Sequence, residues 1–371
     1  MSTPARARSR FLHRTEVVAR ALTARAGVRR TKPSTPRRIL VAHHLLLGDT
    51  LMLTPLLAKL AATFPGAEVA MTVPRAYAPL YMTRPYGVRA LPWDPRHANA
   101  ALFAEAPFDL AIVPGDNRFA WLAAAMRARW IVAFAGDRPA AKNWPIDELR
   151  PWSSSPAAWG DMVATLVDGP APAPYVASDW SAPDAAPFAR PSGRYAVLHV
   201  GASTPLKQWP VERWSKLADL LAARGVVPIW SGGRGEEEIV RAIDPQARYP
   251  SFAGRLDLSQ LWHLLVGADV LVAPDTGAAH LGRVTGTPTV ALFGPGSSIV
   301  TGAGLFWRDA AYRAVTIDPF PCRDQHILFR REIAWVRRCG RTPAQCAAPR
   351  CMQAIGLDAV VAALADLGVM P

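Results

Sequence analysis

The chain has 371 residues, of which half are hydrophobic, and a formal net charge of +13 at pH 7. This length exceeds what one hydrophobic core usually organises, so the sequence predicts two domains. No apolar run approaches the roughly 18 residues that a membrane-spanning helix needs, and the N-terminus lacks the apolar segment of a secretory signal, so we expect a soluble, cytosolic protein.

Most of the positive charge lies in the first 38 residues. They hold eleven basic side chains and one acidic side chain, Glu16, and so carry ten of the thirteen net charges. We therefore delimit a basic arm at residues 1–37, joined to a nearly neutral body. Such an arm suits contact with an anionic membrane surface, and a solvated, disordered extension is an equally good interpretation. The nearly neutral body gives no support to nucleic-acid binding.

A helical projection of the basic arm does not separate these interpretations. Phe11, Val18 and Leu22 fall on one side of the helix, but Arg14 and Arg25 project to that side as well. The amphipathic pattern is therefore weak, and it favours electrostatic adsorption to a membrane over insertion into it.

After the basic arm, short apolar runs alternate with amphipathic stretches. Residues 38–42 form an apolar run that suits a buried parallel strand. From Thr50 the leucines recur at helical spacing until Pro65, and residues 68–73 form the next strand candidate. Three further strand candidates are residues 88–91, 109–113 and 130–134. The alternation predicts an N-terminal Rossmann-like domain over residues 38–170.

A second alternating series follows a stretch rich in Pro, Ala and Ser. That stretch, residues 171–192, is the predicted linker. The second series predicts a Rossmann-like domain over residues 193–345, and residues 346–371 contain a closing helix at 357–367. Strand candidates are residues 195–200, 226–230, 269–273 and 289–293, and helices are predicted from Val211, Glu236, Leu258 and Gly277. The predicted fold class is α/β, with two doubly wound domains that face a central cleft.

Two loops carry the clearest functional signals, because each follows a predicted strand and opens a predicted helix. The first contains His44, Gly48 and Asp49. The Asp49 carboxylate is placed to deprotonate a hydroxyl nucleophile, and an aspartate that caps the helix is the alternative.

The second loop is Asp275-Thr276-Gly277. Its backbone amides and hydroxyl lie at the positive end of a helix dipole, an arrangement that binds phosphate. His280 lies one turn further along and could reach the same anion. An aspartate cap with a packed histidine gives the same pattern. The flexible loop at Gly294, after the next strand, favours anion binding because it adds a second row of amides.

Two more loops follow strands of the second domain. The first contains Ser203, Thr204 and Lys207, whose hydroxyls and ammonium suit neutralisation of a diphosphate. The second contains Glu236 and Glu237, whose carboxylates could accept hydrogen bonds from ribose hydroxyls. Neither loop matches the G-x-G-x-x-G fingerprint, which counts against a nicotinamide-dependent dehydrogenase.

The cysteines are confined to the last 50 residues. They are Cys322, Cys339, Cys346 and Cys351. Their spacing lacks the paired C-x-x-C pattern of common zinc sites, so reduced thiols packed among loops are the first expectation and a structural metal site is the alternative.

Together these motifs resemble those of glycosyltransferase family 9, the bacterial heptosyltransferases that build the lipopolysaccharide core. The matching segments run in family order from about residue 38 to the C-terminus. They are Gly48-Asp49, Lys207-Gln208-Trp209-Pro210, Glu236-Glu237-Glu238, Asp275-Thr276-Gly277 with His280, and Phe293-Gly294-Pro295. The resemblance implies a GT-B fold, an ADP-heptose or related donor held mainly by the C-terminal domain, and an anionic glycolipid acceptor held by the N-terminal domain.

The resemblance also implies roles for single residues. Asp49 would be the general base of one inverting displacement, with Gly48 and His44 on the acceptor side. The implied donor-side contacts are Lys207, Thr276 and Gly277 with the diphosphate, Glu236 or Glu237 with the ribose, Asp275 and His280 with the sugar or phosphates, and Ser203, Thr204 and Gly294 nearby. Amides and Lys207 can stabilise the departing charge, so no metal or cofactor is expected.

Two other function classes remain open from the sequence. A nucleotide-sugar epimerase also uses two facing Rossmann domains, but it would consume the donor without an acceptor. A non-enzymatic protein that binds nucleic acid or a membrane surface would explain the basic arm, although no RNA-binding signature accompanies it.

Overall fold

The structure is a computed structural model that describes residues 4–27, 30–97 and 100–370. The chain divides into two compact units. The first contains the chain up to residue 155 with residues 160–173 and 327–334, and the second contains residues 156–159, 174–326 and the chain from residue 335 onward. The chain therefore passes between the units more often than a single linker at residues 171–192 would require.

The first unit contains a parallel β-sheet. Its strands are β1 (Arg38–Val41), β2 (Glu68–Val73), β3 (Arg89–Pro92), β4 (Phe108–Val113), β5 (Ala128–Phe134) and β6 (Glu148–Arg150). They lie in the order β3-β2-β1-β4-β5-β6. The predicted strands are all present. The sequence did not predict β6, because this strand is half-exposed and contains no apolar run. Because the order reverses between β1 and β4, the loops after them meet at a topological switch point.

The helices of the first unit precede, connect or follow these strands. They are α1 (Pro4–Arg25), α2 (Leu47–Leu51), α3 (Thr54–Thr63), α4 (Ala100–Ala104), α5 (Phe119–Ala125) and, starting at the unit boundary, α6 (Trp159–Ala164). The single helix predicted from Thr50 is wrong, because residues 52 and 53 interrupt it and Pro55 lies in the first turn of α3, where a missing amide costs little. The predicted apolar face is confirmed by the complete burial of Leu53, Leu56, Leu57 and Leu60.

The basic arm is not a disordered extension, because residues 4–25 form α1, which packs on α5. The stripe of α1 that faces the core repeats every four residues and consists of His13, Val17, Ala21 and Arg25. Ala21 shares its apolar core with β1 and β4. The side predicted to be apolar faces outward, with Val18 and Leu22 exposed by 40% and 47%. The side chain of Phe11 lies outside the described residues.

Arg25 ties α1 to the first unit through a buried ion pair. Its Nη1 lies 2.9 Å from Asp147 Oδ2, and the two side chains are 3% and 5% exposed. Removing one partner of such a pair leaves an uncompensated charge, so we expect Arg25→Met to lower the free energy of unfolding by about 3 kcal/mol. Arg30 also lies 3.1 Å from Asp147. It would still pair with this carboxylate in the variant and so limit the loss of stability.

Urea denaturation measures this loss. Arg20→Met is the matched control on the same helix, because the ion pair of Arg20 with Glu16 is exposed. We expect the control to lose less than about 1 kcal/mol. Equal losses in the two variants would contradict the anchoring role of Arg25.

The second unit contains another parallel sheet. Its strands are β7 (Tyr195–His199), β8 (Val227–Ser231), β9 (Val270–Pro274), β10 (Thr289–Phe293) and β11 (Tyr312–Thr316). They lie in the order β11-β10-β9-β7-β8. The sequence did not predict β11, which is only partly buried. The order reverses between β7 and β9, so this unit has its own switch point.

Apart from a one-turn helix at residues 350–353, which the sequence did not predict, the helices of the second unit agree with the predicted periodicities. They are α7 (Val211–Ala222), α8 (Glu237–Ile243), α9 (Leu258–Val266), α10 (Gly277–Thr285), α11 (Arg350–Gln353) and α12 (Leu357–Asp366). Asp257 and Gln260 form a capping box that fixes the start of α9. None of the helices in the described ranges has the length and apolar character needed to cross a membrane.

The segment between β11 and α11 is mostly irregular. It contributes a short hairpin to the first unit, β12 (Ile327–Leu328) and β13 (Arg331–Glu332). Arg331 is buried and donates hydrogen bonds to the carbonyl groups of Gly115 and Ala135 and to Asn117 Oδ1. These bonds anchor the hairpin. The sequence did not predict them, because no apolar pattern marks this segment.

Candidate functional site

The donor-side candidates lie at one edge of the second unit's sheet. Because its strands are parallel, the loops after β7, β8, β9 and β10 open at the same edge. At the switch point between β7 and β9, Lys207 Nζ lies 2.9 Å from Asp275 Oδ2 and donates a 2.6 Å hydrogen bond to the Asp275 carbonyl oxygen. The structure thus brings together two residues that the sequence separates by 68 positions.

Asp275 is the centre of this arrangement. Its carboxylate is buried, accepts a hydrogen bond from Thr301 Oγ1 at 3.1 Å, and lies so close to Gly296 that a Cβ there would overlap it. Burial alone would raise the pKa of Asp275, but the Lys207 ammonium and the hydrogen bonds hold that pKa below its usual value. Asp275 is therefore ionised at neutral pH and holds Lys207 in place.

Thr276 stands at the start of α10, immediately after Asp275. It occupies the N-cap position, but its side chain does not cap the helix. Its Oγ1 is buried and, within the described part of the chain, has no hydrogen-bond partner. A buried hydroxyl without a partner beside the first amides of α10, at Gly277, suits an anionic ligand.

His280 is neutral in this environment. Burial and the neighbouring Arg283 cation lower the pKa of His280 to about 3. Arg283 donates a hydrogen bond to His280 Nδ1 and another to the Gly302 carbonyl oxygen at 2.5 Å. His280 can therefore contribute a hydrogen bond to a ligand, but it cannot contribute a positive charge.

The structure separates the two candidate glutamates. Glu236 Oε2 accepts a 2.5 Å hydrogen bond from Gly233 N, and a Cβ at Gly201 would overlap the same carboxylate. The Glu237 carboxylate instead lies against Gly254. Glu236 therefore stands beside the loop after β7 that carries Lys207, and the sequence could not distinguish it from its neighbour.

Two of the predicted donor-side residues, Thr204 and Gly294, have local structural roles. Thr204 Oγ1 accepts a hydrogen bond from Leu206 N, which starts the short 3-10 turn that ends at Lys207. Ser203 is exposed in the same loop. Gly294 has no room for a side chain, because a Cβ there would overlap Met352.

The acceptor-side candidates follow β1 at the switch point of the first unit. The N-cap of α2 is Leu46, so Asp49 lies within the first turn and the interpretation of Asp49 as the cap residue is wrong. Asp49 and Gly48 are half-buried. Burial raises the pKa of the Tyr77 hydroxyl, and the Asp49 carboxylate raises it further. Tyr77 is thus a neighbour of Asp49 that the sequence analysis missed.

His44 belongs to an aromatic cluster next to this loop. Its ring meets Trp93 edge to face, with 5.8 Å between the ring centroids. Trp93 Nε1 also donates a 3.3 Å hydrogen bond to His13 Nε2, so the basic arm supports this cluster. Burial lowers the pKa of His44 and, together with His44, lowers the pKa of the fully buried His43 to about 3. Both imidazoles are therefore neutral at physiological pH.

Comparison with known proteins places this geometry in a family. The sequence model described as glycosyltransferase family 9 (heptosyltransferase) matches residues 101–327. Lipopolysaccharide heptosyltransferase 1 of Pseudomonas aeruginosa is 26% identical over 301 residues, which cover 72% of this chain and 81% of that protein.

Two solved structures share the fold. The Escherichia coli ADP-heptose lipopolysaccharide heptosyltransferase II aligns with a TM-score of 0.64 at 18% identity, over 89% of this chain and 99% of its own. The iron-containing dodecameric glycosyltransferase TibC of enterotoxigenic E. coli aligns with a TM-score of 0.56 at 16% identity, over 91% of this chain and 77% of its own. They confirm the predicted GT-B fold. Since the family model matches more than half of the 371 residues, the chain belongs to glycosyltransferase family 9.

Proposed function

We propose that this glycosyltransferase transfers a heptose or related sugar from an ADP-sugar to the lipopolysaccharide core or another anionic glycolipid. The observation that carries the proposal is the Lys207–Asp275 pair at the switch point, next to the unpartnered Thr276 hydroxyl. The P. aeruginosa relative is a lipopolysaccharide heptosyltransferase, and the E. coli neighbour is an ADP-heptose enzyme, which supports this donor and acceptor.

The donor diphosphate would be held by the edge of the second unit's sheet. Lys207 supplies a positive charge, and Thr276 Oγ1 and the first amides of α10 supply hydrogen bonds. Asp275 holds Lys207 at this position, and Glu236 accepts hydrogen bonds from the ribose. His280 and Gly294 line the same edge of the sheet.

Asp49 is the proposed general base. It takes the proton of the acceptor hydroxyl as that oxygen attacks the anomeric carbon of the donor sugar. The bond from the anomeric carbon to the diphosphate breaks, and ADP leaves with the electron pair. A single displacement of this kind inverts the anomeric configuration. Gly48 and His44 are the proposed acceptor-side neighbours.

The transfer step is proposed to be independent of metal. Lys207 and the α10 amides already provide positive potential where the negative charge of the leaving diphosphate develops. TibC contains iron. In this chain the donor-side carboxylates and imidazole already have protein partners, because Asp275 pairs with Lys207, Glu236 accepts a hydrogen bond from Gly233 N and His280 accepts one from Arg283.

The donor is tested by thermal shift and by transfer. We expect ADP and ADP-heptose to raise the melting temperature more than UDP, GDP or their sugars, because ligands that bind only the folded state stabilise it. ADP release should require an added lipopolysaccharide-core acceptor. Equal ADP release without an acceptor would support the epimerase instead.

We further propose that α1 contacts the cytoplasmic face of the inner membrane. Its outward side combines arginines with Val18, Leu22 and Leu12, which is 56% exposed. We expect the full-length protein to sediment with vesicles containing phosphatidylglycerol and not with neutral vesicles. The double variant Val18→Ser/Leu22→Ser should bind several-fold more weakly, whereas Val176→Ser, at an exposed valine of the second unit, should bind normally. Equal sedimentation of all three proteins would refute the contact.

A further inference from the structure

The four cysteines line one cavity in the second unit, although the first and the last of them are 29 positions apart in the sequence. The cavity has a volume of about 250 Å³, and Cys322, Cys339, Cys346 and Cys351 all contribute to its wall. All four thiols are free. The remaining lining residues come mainly from the loop at 345–350 and from the donor-side residues Leu206 and Pro295. A chain that gathers all of its cysteines at one place provides a set of soft ligands there.

The segment that carries three of these cysteines needs an internal support. Among the described residues, 317–349 contain no regular element other than the β12–β13 hairpin, which belongs to the first unit. Irregular segments of this length are uncommon in compact domains, and small structures without a core of their own are usually held by disulfides or by a metal ion. The structure has no disulfide among the four thiols.

Hydrogen-bond donors and cationic side chains lie around part of the cavity. Arg341 N donates a 3.4 Å hydrogen bond to Cys339 Sγ, and the Arg341 guanidinium lies 3.9 Å from the same sulfur and donates to the Cys322 carbonyl oxygen. Arg350 also lines the cavity. Backbone N–H groups and arginines next to cysteine sulfur lower the cost of the negative charge that a bound metal requires.

The thiols surround the cavity but do not yet enclose a common point. Within the described ranges, no three His, Cys, Asp or Glu side chains are placed to hold an ion as they stand. Each sulfur is repositioned by rotation about a single χ1 torsion, so binding of an ion requires the thiols to turn toward a shared centre in the cavity. Four thiolates around one ion are the donor set of structural zinc sites and of tetrahedral iron sites.

We propose that Cys322, Cys339, Cys346 and Cys351 bind one structural transition-metal ion, Zn²⁺ or iron, in a tetrathiolate site. Binding forms four metal–sulfur bonds and releases the four thiol protons, with no change of oxidation state. The proposal does not depend on the identity of the donor or the acceptor.

The metal site would support a loop of the donor side. Cys339 N donates a 2.9 Å hydrogen bond to the Pro295 carbonyl oxygen, and a Cβ at Gly294 would lie 3.3 Å from Cys351 Sγ. An ion that fixes these two cysteines would therefore also fix the loop after β10. Loss of the ion should weaken the second unit without removing Lys207 or Thr276.

Metal analysis of the purified full-length protein tests the proposal. With an affinity tag that does not bind metal and without chelators, mass spectrometry should find about one zinc or iron per chain, and the two elements are distinguished directly. Cys339→Ser and Cys346→Ser should each reduce the content at least tenfold. Ala347→Ser, in the same cavity wall, is the matched control and should keep it.

Thiol titration of the wild-type protein gives a second readout that does not depend on the folding of a variant. Under native conditions we expect the four thiols to react slowly with Ellman's reagent and to react rapidly after a chelator removes the metal. Metal-free wild-type protein whose thiols react at once would overturn the proposal. Two disulfides found by mass spectrometry under non-reducing conditions would overturn it as well.

Discussion

Asp49→Asn is expected to abolish sugar transfer and to leave donor binding unchanged. The substitution keeps the size of the side chain and removes the group that accepts the proton, and general-base catalysis typically contributes a factor of about 100 to 10,000. Asp49 lies in the first unit, whereas the proposed diphosphate contacts all lie in the second. We therefore expect kcat to fall by at least about 100-fold, while the calorimetric affinity for ADP stays that of the wild type.

Asp161→Asn is the control for this variant. Asp161 also lies in the first turn of a helix of the first unit, α6, and is similarly half-buried. The same chemical change there should leave kcat nearly unchanged. Wild-type turnover in Asp49→Asn would remove the base assignment. A parallel loss of ADP affinity would contradict it too, because it would show that Asp49 acts on the donor rather than on the acceptor hydroxyl.

The position of most donor-side candidates was predictable because its signals are local. Lys207, Glu236, Thr276 and Gly294 each follow a short apolar run, and parallel strands present the loops at their carboxyl ends at one edge. Both the strands and the edge could thus be inferred from patterns a few residues long. The same local patterns predicted the switch-point position of Asp49.

Other features depend on contacts between distant parts of the chain. The pairing of Lys207 with Asp275 joins two loops across the sheet, and only the strand order β9-β7 brings them together. Glu236 differs from Glu237 because its carboxylate lies against Gly201, whereas the Glu237 carboxylate lies against Gly254. Sequence periodicity predicts neither the Lys207–Asp275 pair nor the different positions of the two glutamates.

The disordered interpretation of the basic arm is wrong for a different reason. A high net charge is typical of disorder as well as of membrane contact, but folding of α1 depends on a narrow stripe in which Ala21 packs into the core and Arg25 pairs with a buried carboxylate. A stripe that contains a histidine and an arginine does not register as apolar, so a hydrophobicity pattern points to the opposite side of the helix. The sequence analysis did not predict the cysteine cavity either, because the spacing of the cysteines does not show that all four line one cavity.

Lys207→Met is expected to lower the affinity for ADP by about 100-fold, which corresponds to the loss of a charge-assisted contact in a largely buried site. The variant also leaves the Asp275 carboxylate buried without its cation. We therefore expect the second unit to lose stability at neutral pH as well. Calorimetry with ADP measures the first effect, and thermal unfolding measures the second.

The double variant Lys207→Met/Asp275→Asn separates these two effects. Removing the carboxylate should restore most of the stability but none of the ADP affinity, since the uncompensated charge is gone and the cation is still absent. Because the folded state lowers the pKa of Asp275, its ion pair stabilises the wild type above the ordinary aspartate pKa and loses this effect as pH falls through the lowered value. Lys216→Met, at an exposed lysine of α7, is the matched control. If the double variant regains ADP affinity, Lys207 merely neutralises Asp275 and does not bind the diphosphate.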